Sequence, residues 1–226
     1  MKNKTKSAYD KWAENYDRDK NPHTTVEHHY VLEAMDAKPH EIILDAACGT
    51  GKYAIEFFRK GATVYGIDIS PKMINVAKSK NNKIQYKVSD LNKKLDYPSK
   101  YFNKINCAQA IKHIPTDNIK KLFKEFSRII KEDGVIVFSV THPDMDWTDF
   151  ETKTKVTVDL RQESNIFHHK FKDYFDAFKY AGLAIADIIQ VPIGKEIRFM
   201  LTNRSYRIVK GRYEVIVFKL KKAAYR

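Results

Sequence analysis

The run Ile42-Ile43-Leu44-Asp45-Ala46-Ala47-Cys48-Gly49-Thr50-Gly51-Lys52-Tyr53-Ala54 constrains this chain more than any other segment. An apolar strand passes into an acidic residue, then into a small-residue loop with two glycines, then into a helix. That order cradles nucleotide-shaped ligands against backbone amides at a helix N-terminus. Asp45 narrows the ligand further. A pyrophosphate at that helix end would meet a carboxylate at close range, whereas a ligand carrying an ammonium and a sulfonium is attracted to one.

The remaining pattern supplies the frame for such a loop. Glu41 to Asp45 reads as a strand, and Lys52 to Lys60 as a helix capped by Gly61. Ala62 to Asp68 follows as a second strand. Ser70-Pro71 then begins a helix with cap and first-turn proline in order, Met73, Ile74 and Ala77 sharing a face. Lys83 to Val88 reads as a third strand ending near Asp90, and Tyr101 to Gln109 as a fourth. A helix from about Thr116 carries Ile119, Leu122, Phe123, Phe126, Ile129 and Ile130 on one stripe and is expected to stop at Asp133-Gly134. Val135 to Val140 suits a strand covered on both faces. Strands and helices alternating at this spacing imply right-handed βαβ units and a parallel sheet, with ligands at the carboxyl ends of its strands. After Thr141 a polar segment reaches His168, a helix is expected from about His169 to Ala181 with Gly182 closing it, and two apolar runs, Leu183 to Val191 and Tyr213 to Leu220, read as late strands at one sheet edge.

At 226 residues the chain suits a single domain with its own core. It has no apolar run long enough to span a bilayer and no secretory signal at Met1-Lys2-Asn3-Lys4, so a cytoplasmic address is expected. The two cysteines, Cys48 and Cys107, both fall in segments that read as buried and fit a reducing compartment. A net charge of +13 admits an anionic partner such as RNA. Most lysines are scattered over helix faces, the pattern of ordinary solvation. Arg204, Arg207, Lys210 and Arg212, interleaved with Tyr206 and Tyr213, form the one denser group.

Gly49-Thr50-Gly51-Lys52-Tyr53-Ala54 also satisfies the G-x-G-x-x-G/A pattern of dinucleotide folds, with Asp68 where a ribose-binding acid belongs. A carboxylate at that strand tip can accept both ribose hydroxyls. A nicotinamide-dependent oxidoreductase is thus one reading, and Asp45 argues against it.

Together these residues resemble the class I S-adenosylmethionine-dependent methyltransferases, from about Tyr9 to the C-terminus and most closely from Glu41 to Pro143. The resemblance implies a Rossmann-like α/β, doubly wound sheet of seven strands, mostly parallel with an antiparallel edge strand. Leu44 to Gly51 is similar to the loop around the methionine part of the cofactor, giving Asp45, Ala46, Ala47, Cys48, Gly49, Thr50 and Gly51 as expected contacts. Val64 to Ser70 resembles the ribose and adenine motif, with Asp68 on the hydroxyls and Ile69 on the adenine, and Met73 is a further expected cofactor contact. Asp90 and Leu91 resemble the adenine-edge motif. Ala108 to Ile114 resembles the segment beside the transferable methyl, which adds Ala108 and His113. Tyr9 to Asp17 resembles an N-terminal lid, with Tyr16 near the cofactor carboxylate.

The resemblance departs at Ala47, which replaces a glycine, and at Asn103, which replaces an aspartate. Ala47 is tolerable where φ is negative and strained where it is positive. The resemblance further implies a lid over residues 1–36 and acceptor-side segments over 142–168, with Trp147, Phe150 and Phe167, and over 192–211. The expected activity is methyl transfer to a small molecule, transfer RNA being the alternative on the basic balance and Gly51-Lys52-Tyr53; a non-catalytic module retaining the cofactor fold is a further one. His142, at the end of the fifth strand, and His113, beyond the fourth, are the expected general-base candidates if the acceptor needs one, each with a pocket-wall or core role as its bland counterpart. His28-His29 and His168-His169 lack companions at metal-ligand spacing, so no metal is expected.

Overall fold

A computed structural model describes residues 4–19, 21–142 and 163–224. Helices α1 (Lys4–Trp12) and α2 (Pro22–Met35) precede β1 (Ile42–Ala46), α3 (Lys52–Arg59), β2 (Thr63–Asp68), α4 (Pro71–Lys80), β3 (Gln85–Val88) and β4 (Phe102–Ala108). A 3-10 turn at Ile111–His113 leads to α5 (Thr116–Ile129) and β5 (Ile130–Thr141). Then come α6 (Phe171–Ala181), β6 (Leu183–Pro192), a 3-10 turn at Lys195–Met200, α7 (Asn203–Val209) and β7 (Tyr213–Lys222).

The seven strands lie in the order β3-β2-β1-β4-β5-β7-β6. All contacts from β3 to β5 are parallel, and β7 runs antiparallel to both β5 and β6. The antiparallel strand therefore sits one place in from the edge, with β6 outside it. The chain reverses its direction of travel across the sheet between β1 and β4, which opens a crevice at their carboxyl ends.

Period-two alternation fills both faces. Ile43, Val137 and Val217 join one buried cluster with Val31, Met35 and Phe57. Leu44, Phe138 and Phe218 join the other, with Phe123, Phe126, Tyr174 and Phe178. Phe138 and Phe218 stack at 4.9 Å with ring planes 8° apart, so the antiparallel strand is locked to the parallel sheet by the same core. Local signals hold at the ends: Ser70 Oγ accepts from Met73 N at 3.1 Å, and Gly182 closes α6 at φ 68°.

One boundary differs from its expectation. Helix α5 stops at Ile129, and Ile130 already pairs with Phe102 in the sheet. Gly134 lies inside β5, where a Cβ would stand 2.6 Å from Ile130 Cγ1 and 2.9 Å from the Asn103 carbonyl. Its role is close approach at an irregular register, not a helix cap. Asn103 has a structural use too: its Oδ1 accepts from Ile42 N at 2.9 Å and from Lys131 Nζ at 3.0 Å, tying β1 to the start of β4.

Candidate active site

The crevice holds a cavity of about 210 Å³. One wall comes from the loop after β1 and the tip of β2, a second from Ser89 to Asn92 after β3, and a third from Ala108 to Pro115 after β4. The cover is Thr5, Tyr9, Tyr16, Asn21 and Thr24 from the N-terminal region, with Asn165 and Phe167 before α6.

The loop wall is backbone held in unusual conformations. Ala47 has φ 60°, Gly49 φ 53° and Gly51 φ 82°. Ala47 is thus in the strained case, a cost of roughly 1–2 kcal/mol for a residue with a Cβ. At Gly51 a Cβ would lie 2.5 Å from Tyr86 Oη. Bonds from Cys48 N to the Ile67 carbonyl and from Gly49 N to Asp68 Oδ2, both 2.9 Å, hold the loop against β2.

Asp68 serves that loop and the cavity together. Its Oδ1 accepts from Ser70 N at 2.8 Å and its Oδ2 from Gly49 N, while the carboxylate also lines the cavity. Each oxygen retains a lone pair, enough for two vicinal hydroxyls. Burial pushes the Asp68 carboxyl up to about 6, against the pull of the backbone N–H groups.

Asp45 takes a different place from the one expected. Its Oδ2 accepts from Ala54 N at 3.0 Å and its Oδ1 from Asn106 Nδ2 at 2.8 Å, and it does not line the cavity. It braces α3 against β4 beneath the loop, and burial pushes it up to about 7. Ala46, Cys48, Thr50, Gly51 and Met73 are also absent from the lining, and the side chains of Ala46, Cys48, Thr50 and Met73 are buried. Burial pushes the Cys48 thiol well above its usual range, which suits packing. Tyr16, Ala47, Gly49, Asp68, Ile69, Asp90, Leu91, Ala108 and His113 line the cavity.

His142 is absent from that lining. Its ring lies 6.3 Å from that of Tyr213 and 6.0 Å from that of Phe171, and its N–H donates to the Glu214 carbonyl at 2.7 Å. The strand end that was to aim it at the ligand pairs with β7 instead. Residues 192–211 add nothing to this lining: Ile193, Ile197, Met200 and Leu201 pack in the cluster that holds Val26 and Val31 of α2. The basic residues Arg204, Arg207, Lys210 and Arg212 likewise lie off the cavity wall. Trp147 and Phe150 lie outside the described residues.

The cover is clamped to the loop wall by side chains. Asp17 accepts from Thr50 Oγ1 at 2.7 Å and pairs with Lys80 at 2.5 Å, and Asp10 accepts from Ser70 Oγ at 2.6 Å. Below the third wall, Glu27 is fully buried and accepts from Gln109 Nε2 at 2.8 Å and Tyr53 Oη at 3.2 Å. Gln109 itself is held at φ 53°. Sequence reading missed Glu27, although a signal was present. The residue stands four before Val31 and eight before Met35, a carboxylate in an apolar stripe. Nearby, His23 Nδ1 and Glu214 Oε1 lie 2.9 Å apart without the alignment of a hydrogen bond, and burial pushes Glu214 up to about 8. Among the described residues no group of three or more His, Cys, Asp or Glu side chains is placed to hold a metal, and no helix is long and apolar enough to cross a membrane.

A doubly wound sheet with a cavity at its switch point, a glycine loop on one wall and an acid at the next strand tip defines a nucleotide-cofactor-binding α/β protein. Residues 43–134 match a family described as a methyltransferase domain. An uncharacterised protein of Methanocaldococcus jannaschii is 32% identical over 140 residues, 61% of this chain and 51% of that one. A demethylmenaquinone methyltransferase of Tropheryma whipplei is 32% identical over 105 residues, 46% of this chain and 43% of that one. The chain thus spans about half the length of the curated relatives it matches. In fold it is similar to an S-adenosylmethionine-dependent methyltransferase of Mesorhizobium loti, with a TM-score of 0.70 at 20% identity over 87% of this chain and 98% of that one. Residues 43–134 thus match a methyltransferase-domain family, and the fold is the one that S-adenosylmethionine-dependent methyltransferases share.

Proposed function

We propose that this protein transfers a methyl group from S-adenosylmethionine to a small-molecule acceptor. The observation that carries the reading is the single cavity in which Asp68, Asp90 and the backbone of Ala47 and Gly49 converge with Ala108 and His113. S-Adenosylmethionine, when bound, supplies a methyl carbon already activated by its sulfonium.

Asp68 holds the ribose hydroxyls through its spare lone pairs, and Ile69 and Leu91 give the adenine apolar surface with Asp90 at its edge. Gly49 and Ala47 let the backbone approach the methionine part, with Tyr16 over its carboxylate. The protein's own contribution is to align acceptor and methyl carbon and to exclude water, because the leaving group needs no further activation. The described part of residues 1–36 acts as the lid, and residues 163–168 border the acceptor side, residues 143–162 lying outside the described residues. The quinone-type relative supports a small acceptor, as does the covered cavity, whose lining leaves out the basic group around Arg207.

Calorimetric and thermal-shift titrations with S-adenosylmethionine, its demethylated product and NAD test the reading. Stabilisation by the first two is expected. Stabilisation by NAD alone would overturn it.

A further inference from the structure

The basic group around Arg207 lies off the cofactor cavity and forms a surface of its own. Residues 193–212 join the end of β6 to the start of β7. Because β7 runs antiparallel to β5, its first residues stand beside the carboxyl end of β5, at the end of the sheet that also holds the cavity. The segment is two-sided. Ile197, Met200, Leu201, Tyr206 and Val209 are buried in the cluster that holds Val26 and Val31 of α2. The positions between them are exposed, and with the loop that follows they carry Lys195, Arg198, Arg204, Arg207, Lys210 and Arg212. Against these six cations the segment has one carboxylate, Glu196, which accepts from Gly194 N at 3.0 Å.

Charge alone suits any polyanion, and the apolar side chains decide between them. Ile208, Tyr213 and Phe199 are each about half exposed, and all three stand among the cations. A nucleic acid offers phosphates to the arginines and base faces to exposed aromatic rings. An aliphatic side chain such as Ile208 gains little from either. Tyr206, next to Arg207, is buried, with the Arg198 guanidinium 5.2 Å from its ring centre, so it presents no face on which a base could stack. Anionic headgroups above a hydrocarbon layer meet both halves of the pattern. Guanidinium and ammonium groups pair with the headgroup phosphates, and Ile208 with the rings beside it leaves water for the acyl boundary. Long arginine and lysine stems keep their charged ends at headgroup level while apolar neighbours go deeper.

We infer that residues 195–213 form a docking surface for an anionic lipid bilayer, on which the protein lies without spanning it. The cations gather the protein at the charged surface, and Ile208 fixes which side of it meets the lipid. The surface is preformed. Helix α7 is held by the fold, through its buried side and through Thr202 Oγ1, which accepts from Ser205 N at 3.2 Å, so docking carries little cost of ordering. Tyr213 links the surface to the sheet end beside the cavity, its ring lying 6.3 Å from that of His142 at the end of β5. The inference stands apart from methyl transfer, and its failure leaves that reading untouched.

Sedimentation of the full chain with lipid vesicles is the test, using phosphatidylcholine alone and phosphatidylcholine mixed with phosphatidylglycerol. Binding to the mixed vesicles and not to phosphatidylcholine is expected, weakening as salt rises. Arg204→Gln combined with Arg207→Gln should weaken it about 25-fold, from about fivefold for each basic residue at a charged surface. Both side chains are exposed, so the unfolding midpoint should not move. In Ile208→Trp, indole emission in excess of the parent's should shift to shorter wavelength when the mixed vesicles are added. No binding to those vesicles, equal binding to phosphatidylcholine, undiminished affinity in the double variant or an indole that stays in water each overturns the inference. Tighter binding to bulk transfer RNA than to the mixed vesicles, lost in the same double variant, overturns it in favour of a nucleic-acid surface.

Discussion

The glycine-loop wall and the aromatic cover enclose one cavity by opposite means. The wall is backbone, set by bonds between residues about twenty apart, as when Gly49 N meets Asp68. The cover is side chains that meet across the sequence: Tyr9 reaches His113 over 104 positions, and Asp10 reaches Ser70 over 60. Backbone amides can hold a ligand's fixed, common part whatever side chains stand behind them. Side chains can be exchanged one at a time, and that suits the cover to the part of the reaction that differs between enzymes. The wall should therefore break through stability and the cover through turnover.

The largest effect is expected at Asp45, which braces the wall from below. Asp45→Ala leaves the Ala54 N–H and the Asn106 amide without their buried acceptor, a loss of about 2–5 kcal/mol from two unsatisfied donors. Denaturant midpoints at constant slope measure it. Asp45→Asn retains an acceptor oxygen and should lose far less. The pH dependence has a definite sign. A carboxyl raised to about 7 in the fold binds its proton more tightly there than in the unfolded chain, where its pKa is about 4. That stability is present at low pH and falls as pH rises from about 4 through 7. Asp68, pushed up to about 6, and Glu214, pushed up to about 8, act in the same direction. Asp45→Asn should flatten the decline, and an unchanged slope would mean that Asp45 is ionised in the fold throughout.

Next comes Asp68→Ala, on the face of the same wall. Two hydrogen bonds to a charged acceptor are lost from the ligand, and the Gly49 N–H loses its own partner. Affinity for S-adenosylmethionine should fall about 10- to 100-fold, from roughly 1.5–3 kcal/mol. Calorimetry reads it directly, and affinity within twofold of the parent would remove Asp68 from the ligand.

A smaller effect is expected where wall and cover join. Asp17→Ala removes the contacts to Thr50 and Lys80 from a half-exposed site, where solvent screening limits the loss to under about 1 kcal/mol. The cofactor's dissociation rate should rise a few-fold with little change in the unfolding midpoint. A large drop in midpoint instead would make the N-terminal region part of the core and not a cover.

This division also decides what could be read from the chain before folding. The β1 loop, the Asp68 strand tip, the α5 stripe and the Ser70 cap are written in neighbouring residues, and they were legible. The start of β5 was not: Ile130 leaves the helix stripe because Gly134 lets two backbones approach, and that approach depends on Asn103 in another strand. Asp45 shows the same limit inside a motif. Its residue type and position were evident, but Asn106 was needed to turn its carboxylate inward. Tyr9 was visible as the first residue of the lid-like segment, and only tertiary structure gives it His113.

The smallest effect tests whether the wall is backbone by necessity. Within the glycine loop, Ala47 keeps a Cβ at positive φ while lining the cavity. Ala47→Gly removes strain of roughly 1–2 kcal/mol. It also frees the unfolded chain, which costs about 0.5–1 kcal/mol. A net gain of about 0.5 kcal/mol is the expected result, with cofactor affinity nearly unchanged because the amide that faces the ligand does not move. A loss of stability would show that the Ala47 methyl contributes packing that outweighs its strain, and the wall would then owe part of its shape to a side chain, as the cover does.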